Sequence, residues 1–242
     1  EKLEPYLIRN VMAKIEFNDV SEDPETIANR MEGKILIGDE YEEFRVFVAK
    51  DYGEINKSNK RITTFHKMNK ERDTAIVSLF LGSGLRLSEL VWLNIEDIDF
   101  NKNCVRVIRK GNKEQYVYFS EQAMTDLKAY LSIRSNKYNI PRENKAVFVA
   151  APMGPKGTTR RLSGRAIEKL IEKYAIAFGK PSLSVHKLRH SFATRYHSEI
   201  NDVPKLRRQL GHSSIETTMI YTHLKNEDLK NAINKLNMPK EQ

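Results

Sequence analysis

Apolar residues return at helical spacing in the middle of the chain. Ala75, Ile76, Leu79 and Phe80 share one face, and Gly82 and Gly84 then break the helix in a tight turn. Upstream, Tyr41, Phe44 and Val48 form a stripe that predicts a helix over 39–49, and another is expected over 4–15. The polar stretch 18–24 reads as a loop or linker, and 51–60, rich in Gly, Asn, Ser and Lys, as an exposed connection. Leu87, Leu90 and Val91 open a further short helix. The period then shortens to two: 97–100, 104–109 and 115–119 predict three strands joined by turns at Asn-Lys-Asn and Lys-Gly-Asn-Lys. The remainder reads as helical, over 121–134, 164–178, 185–199, 203–210, 214–222 and about 226–236. Ser184 can cap one of these, and Ser213-x-x-Glu216 has the form of a capping box. Gly211 stands where a helix C-terminus calls for a left-handed residue. The expected fold is mainly α with a small three-stranded antiparallel sheet, an α+β domain.

Composition narrows the class. The 242 residues are 40% hydrophobic and 30% charged, as in a soluble globular protein of about one to two domains. The longest near-apolar run, 75–87, is too short and too interrupted by polar residues to span a bilayer. No charged n-region followed by an apolar stretch opens the chain. The single cysteine, Cys104, excludes an internal disulfide framework and a Cys-cluster zinc site, so a cytoplasmic location without membrane contact is expected.

The net charge of +9 is unevenly placed. Residues 1–60 hold 9 Lys and Arg against 14 Asp and Glu, leaving 32 against 18 for the rest. A segment that basic points to a polyanion, with nucleic acid first among the partners.

Seven residues are candidates for chemistry, and each has an ordinary structural reading beside it. Arg86 and Glu89, three apart on one turn after Gly-Ser-Gly-Leu, can form an ion pair, and an arginine at a helix start also suits an anion site. His186 and Arg189 lie one turn apart on a basic helix face. His212 follows the helix-ending Gly211, Tyr221 lies nine residues further on, and Lys110 sits at a hairpin tip. Separately these are a surface pair, a capping histidine, a packing tyrosine and a solvated lysine. Together they suit a phosphodiester. Two arginines can grip it, a lysine can protonate a leaving oxygen, and a tyrosine in an electropositive pocket can attack phosphorus. No Asp/Glu cluster is spaced for magnesium and no Cys pair suggests zinc, so a reaction without metal or other cofactor is expected.

Gly82-Ser-Gly-Leu-Arg86-Leu-Ser-Glu89-Leu, the hairpin Arg109-Lys110-Gly-Asn-Lys, His186-Lys-Leu-Arg189-His, Leu-Gly-His212 and Tyr221-Thr-His resemble the boxes of the tyrosine recombinases, the phage integrase family. Order and spacing agree throughout: 24 residues from Arg86 to Lys110, 23 from Arg189 to His212, nine from His212 to Tyr221. The resemblance implies a tyrosine recombinase catalytic domain of Xer or mobile-element type, acting on double-stranded DNA. Tyr221 would be the nucleophile, leaving a 3′-phosphotyrosyl link and a 5′-hydroxyl. Arg86 and Arg189 would clamp the phosphate, His186 and His212 would complete the pocket, and Lys110 would be the general acid. Glu89 would hold the pocket through the arginines. Strand exchange through a Holliday junction would then need no ATP, and no P-loop motif is present.

The same resemblance implies a tetramer on DNA, with accessory proteins as possible partners. The apolar stripe Leu229, Ala232, Ile233 and Leu236 would pack on its own domain or on a neighbouring protomer. Residues 1–33 read as a linker or remnant of an N-terminal core-binding region, and 34–242 as the catalytic domain. Arg109 departs from the family pattern, standing where a glycine commonly precedes the hairpin lysine. Arg160, Arg161, Arg165 and Lys187 are expected on or near the DNA-facing side. Two rival readings remain at this level: a type IB topoisomerase with similar chemistry, and a non-catalytic DNA-binding accessory module.

Overall fold

The computed structural model describes residues 33–109, 111–141, 143–151 and 159–211, and a long helix in their midst organises the rest. Helix α1 (Glu40–Val46) runs into a π-helical turn (Phe47–Asp51) and a last turn, α2 (Tyr52–Ile55). The first half of the connection expected over 51–60 is therefore helical. Burial explains the difference, because Phe47, Val48 and Tyr52 all pack into the core. Gly53 fits inside this helix because a side chain there would strike the His66 ring.

Helix α3 (Lys60–Ser83) is capped by Asn59, whose side chain accepts from the Ile62 N–H at 3.2 Å. It is longer than its apolar stripe suggests, and every residue from Arg72 to Leu81 is buried. A helix enclosed on all sides needs partners for its polar groups. Arg72 pairs with Asp73 at 2.7 Å and donates to the Val149 carbonyl at 3.0 Å, while the Tyr174 hydroxyl donates to Asp73 at 2.9 Å. Gly82 lets α3 approach the chain at 120–123, since a Cβ would strike Ser120 and crowd Ala123.

After α4 (Leu87–Trp92) and a 3-10 turn (Ile95–Asp97) comes the expected sheet: β1 (Ile98–Asp99), β2 (Cys104–Arg109) and β3 (Lys113–Tyr118), antiparallel in that order. Ile98 faces Val105, Val105 faces Val117, and Arg109 faces Lys113 at the loop end of the hairpin. Gly111 (φ 80°) and Asn112 (φ 55°) take the left-handed conformations a tight hairpin needs.

Helix α5 (Glu121–Tyr138) starts on Ser120 and runs four residues past the expected end. Arg134 and Tyr138 are buried there, bonded to the Val147 and Met68 carbonyls at 3.0 and 3.2 Å. Ala146, Val147, Phe148 and Val149 form a buried segment, bridged at its two ends to Asn94 and Arg161. Sequence periodicity does not reveal it.

Three helices close the described part: α6 (Gly164–Ala177), α7 (Val185–Ile200) and α8 (Val203–Leu210). Ser163, Ser184 and Asp202 cap them as acceptors, and Gly211 ends α8 at φ 64°. Among the described residues no helix is long and apolar enough to cross a membrane. The helices expected over 4–15, 214–222 and 226–236, the Ser213–Glu216 box and the Leu229–Leu236 stripe lie outside the described residues.

Candidate active site

The turn after α3 sets the site. Gly84, at φ 67°, has no room for a side chain because Phe192 and Leu210 crowd the place its Cβ would take. That close approach brings the end of α3, the middle of α7 and the end of α8 to one point. Arg86 follows in extended conformation as the N-cap of α4. Glu89, in the first turn of α4, reaches back to the Arg86 backbone N–H at 2.9 Å and accepts from Arg86 Nη1 at 2.9 Å. The ion pair expected from spacing is formed. Its arginine stays 38% exposed while Glu89 is buried beneath it.

The carbonyls at the end of α8 are the second element. Four successive carbonyls at a helix C-terminus have no partner within the helix and carry its negative end. Here arginine reaches each of the last ones. Arg109 donates to the Arg208 and Gln209 carbonyls at 3.4 and 3.1 Å. Arg189 donates to the Leu210 carbonyl at 2.7 Å and also to that of Gly84. Arg86 donates to the Gly211 carbonyl at 2.8 Å. Three guanidinium groups from three elements therefore meet on the residues that immediately precede His212.

Glu89 is the counter-charge of this cluster. It accepts from Arg109 Nε at 2.8 Å as well as from Arg86. Burial alone would raise its pKa, but the Arg109 hydrogen bond, the Arg86 N–H and both positive charges outweigh it and hold the carboxyl below its ordinary value. On α7, His186 is exposed near the helix start, and its Nε2 lies 2.8 Å from that of His190, with the rings nearly perpendicular. One ring must donate and the other accept. Partial desolvation and the charges of Lys187 and Arg189 lower the His186 pKa, favouring the neutral ring. No third His, Cys, Asp or Glu joins this pair as a metal-binding group among the described residues.

Of the seven candidates, Arg86, Glu89 and Arg189 come together and His186 lies on the turn before Arg189. Lys110, His212 and Tyr221 lie outside the described residues; Lys110 is next in sequence to Arg109, and His212 to Gly211. Arg161, expected towards DNA, turns inward instead. Its guanidinium donates to the Val91 and Leu93 carbonyls, both at 2.8 Å, and stacks 5.4 Å from the Trp92 ring centre. The Asn94 side-chain oxygen, at 2.5 Å, is its third acceptor. Arg160 and Arg165 are exposed.

Sequence reasoning missed Arg109 as a member of the cluster, although its replacement of a glycine was the visible signal. It also missed Gln209, whose side chain bonds the Ser83 and Tyr118 carbonyls at 2.9 and 2.6 Å and ties α8 to α3 and β3. No local pattern announces that role.

The family model described as "Phage integrase family" matches residues 48–228. The chain is similar to "Tyrosine recombinase XerS" of Streptococcus gordonii, 39% identical over 236 residues, covering 98% of this chain and 65% of the relative. It is also 40% identical to "Tyrosine recombinase XerS" of Lactococcus lactis subsp. cremoris, over 96% of this chain and 64% of that relative. The chain thus spans just under two thirds of the length of these curated relatives. Among solved structures it resembles XerA recombinase, with a TM-score of 0.60 and 27% identity over 85% of this chain and 64% of that one.

Proposed function

The chain belongs to the phage integrase family, and from that premise we propose that it is the catalytic part of a site-specific DNA recombinase of Xer type. The supporting observation is the pair Arg86 and Arg189, both fixed on the carbonyls of the residues just before His212. A phosphodiester bound there meets positive charge that is already oriented, so little reorganisation is needed as charge grows on its non-bridging oxygens. The relatives are named as recombinases, which favours this reading over topoisomerase or accessory-module roles.

In the proposed reaction the Tyr221 oxygen bonds to phosphorus as the bond from phosphorus to the 5′-oxygen breaks. The tyrosine proton passes to a pocket histidine, His212 or His186, and Lys110 gives a proton to the leaving 5′-oxygen. Glu89 keeps Arg86 in place. The 3′-phosphotyrosyl link conserves the bond, and an incoming 5′-hydroxyl reverses the step. Two rounds exchange strands through a Holliday junction, without metal or ATP.

The wider reading follows the same lines. Residues 34–242 form the catalytic domain, 1–33 are a linker or part of a core-binding region, and the protein works in the cytoplasm, as a tetramer on double-stranded DNA. A cavity of about 590 Å³, walled by Tyr41, Leu81, Phe119, Phe192, Tyr196 and Ile200, suits an apolar helix face. That supports packing of the Leu229–Leu236 stripe in it, from this chain or from a neighbouring protomer.

The test is covalent capture. The chain is incubated with nicked suicide duplexes selected for binding from a randomised library, and denaturing gels read the protein–DNA adduct. The expected adduct persists in EDTA and is lost in Tyr221→Phe. An adduct unchanged in that variant overturns the nucleophile, and dependence on magnesium overturns the metal-free step.

A further inference from the structure

Arg109 has no part in the reaction as proposed, yet it is heavily tied within the cluster. Its side chain is 8% exposed, against 38% for Arg86. Nε donates to the same Glu89 oxygen that receives Arg86, at 2.8 Å. Nη1 donates to Gln115 Oε1 at 2.7 Å, and Nη2 to the Gln209 carbonyl at 3.1 Å. Gln115, on the opposite strand, donates in turn to the Arg208 carbonyl. Arg109 and Lys113 are the last residue pair of the hairpin before its three-residue loop. One guanidinium therefore joins the loop end of the hairpin, the carboxylate beneath Arg86 and the last turn of α8.

Gly211 reports the same constraint from the other side. A Cβ on Gly211 would overlap the Arg109 guanidinium. Left-handed backbone already favours glycine there, and the arginine needs the space as well.

We propose that Arg109 is a positioning residue. It clamps the hairpin to Glu89 and to the end of α8, and so sets where Lys110 is delivered relative to Arg86 and to the chain leading into His212. The part concerning Lys110 rests on the proposed function. A rigid strand fastened one residue before the general acid restricts its reach in a way that a free hairpin cannot. A glycine at 109 has no side chain to make any of these bonds.

The experiment compares two selected nicked duplexes, one with an ordinary scissile phosphate and one with a 5′-bridging phosphorothiolate, whose leaving thiolate needs no proton. Arg109→Ala is expected to slow adduct formation about 100-fold on the ordinary duplex, and only a few-fold on the phosphorothiolate. Arg109→Lys, which keeps a charge on Glu89 but not the fork to α8, falls between. Arg106→Ala removes two ion pairs of the same strand, to Asp97 and Glu114, without touching Glu89 or α8, and leaves the ratio of the two rates unchanged. Equal slowing of both substrates by Arg109→Ala, or no slowing, overturns the proposal.

Should Arg109→Ala fail to fold, Gly211→Ala displaces the same guanidinium without deleting it and must shift the ratio in the same direction. Amide hydrogen exchange gives a reading independent of activity. In Arg109→Ala the amides of 113–115 and 208–211 should exchange faster together, and unchanged exchange overturns the clamp. Absence of any adduct with the unaltered chain overturns the recombinase reading, while the exchange result still decides the clamp.

Discussion

Two of the arginine–carboxylate clusters among the described residues differ in one respect. At the core of α3, Arg72 and Asp73 are 4% and 0% exposed, and Tyr174 and Lys173 complete the set. At the end of α8, Arg109 and Glu89 are almost as enclosed, but Arg86 continues outward. In the inner cluster Arg72 and Asp73 spend their hydrogen bonds on protein and can only hold the fold. The outer one uses a buried half to fix a half that remains accessible. Similar chemistry thus yields a structural element in one place and a platform for an anion in the other.

The largest expected effect breaks the inner cluster. Asp73→Ala leaves Arg72 buried without its counter-charge and should cost about 3–5 kcal/mol, read as the shift in a urea unfolding midpoint. Next comes Arg86→Ala, which should lower the rate of adduct formation on a selected duplex by about 10²–10³-fold. Its stability should change by no more than about 1 kcal/mol, because the pair is partly exposed. Loss of stability with retained cleavage would erase the contrast between the clusters.

The smallest effect is a change of pH profile. Glu89 titrates below its ordinary value of 4.5 in the folded chain. Its contribution to stability is therefore complete above that value and is lost as pH falls through the lower folded-state pKa. Glu89→Gln should flatten the acid limb of a stability-against-pH curve, and an unaltered limb would show that the arginines do not govern this carboxyl.

Legibility in the sequence followed the range of the interactions. Strand β2 and helix α8 match their expected spans because alternating valines, the Asp202 cap, Pro204 and Gly211 act locally. The Arg86–Glu89 pair was readable for the same reason, being one turn of one helix. The first half of α3 was not. His66 and Asn69 are buried polar residues satisfied by the Val48 and Phe65 carbonyls at 2.8 Å each, and a polar stretch of this kind looks like surface. The buried segment 146–149 is too short to show a period, and its pairing partners lie far along the chain. The convergence on α8 was hidden likewise, since Arg86 and Gly211 are 125 residues apart. The order of the motifs implied a common site without indicating that backbone carbonyls would hold it together.

The lone cysteine gives the sheet a clock of its own. Cys104 lies in β2 at 1% exposure, paired with Asp99 on one side and Tyr118 on the other. A bulky thiol reagent reaches it only when the strands part, so labelling of the unaltered chain times the opening of the scaffold that carries the hairpin. Because the chain contains one thiol, the signal has a single origin.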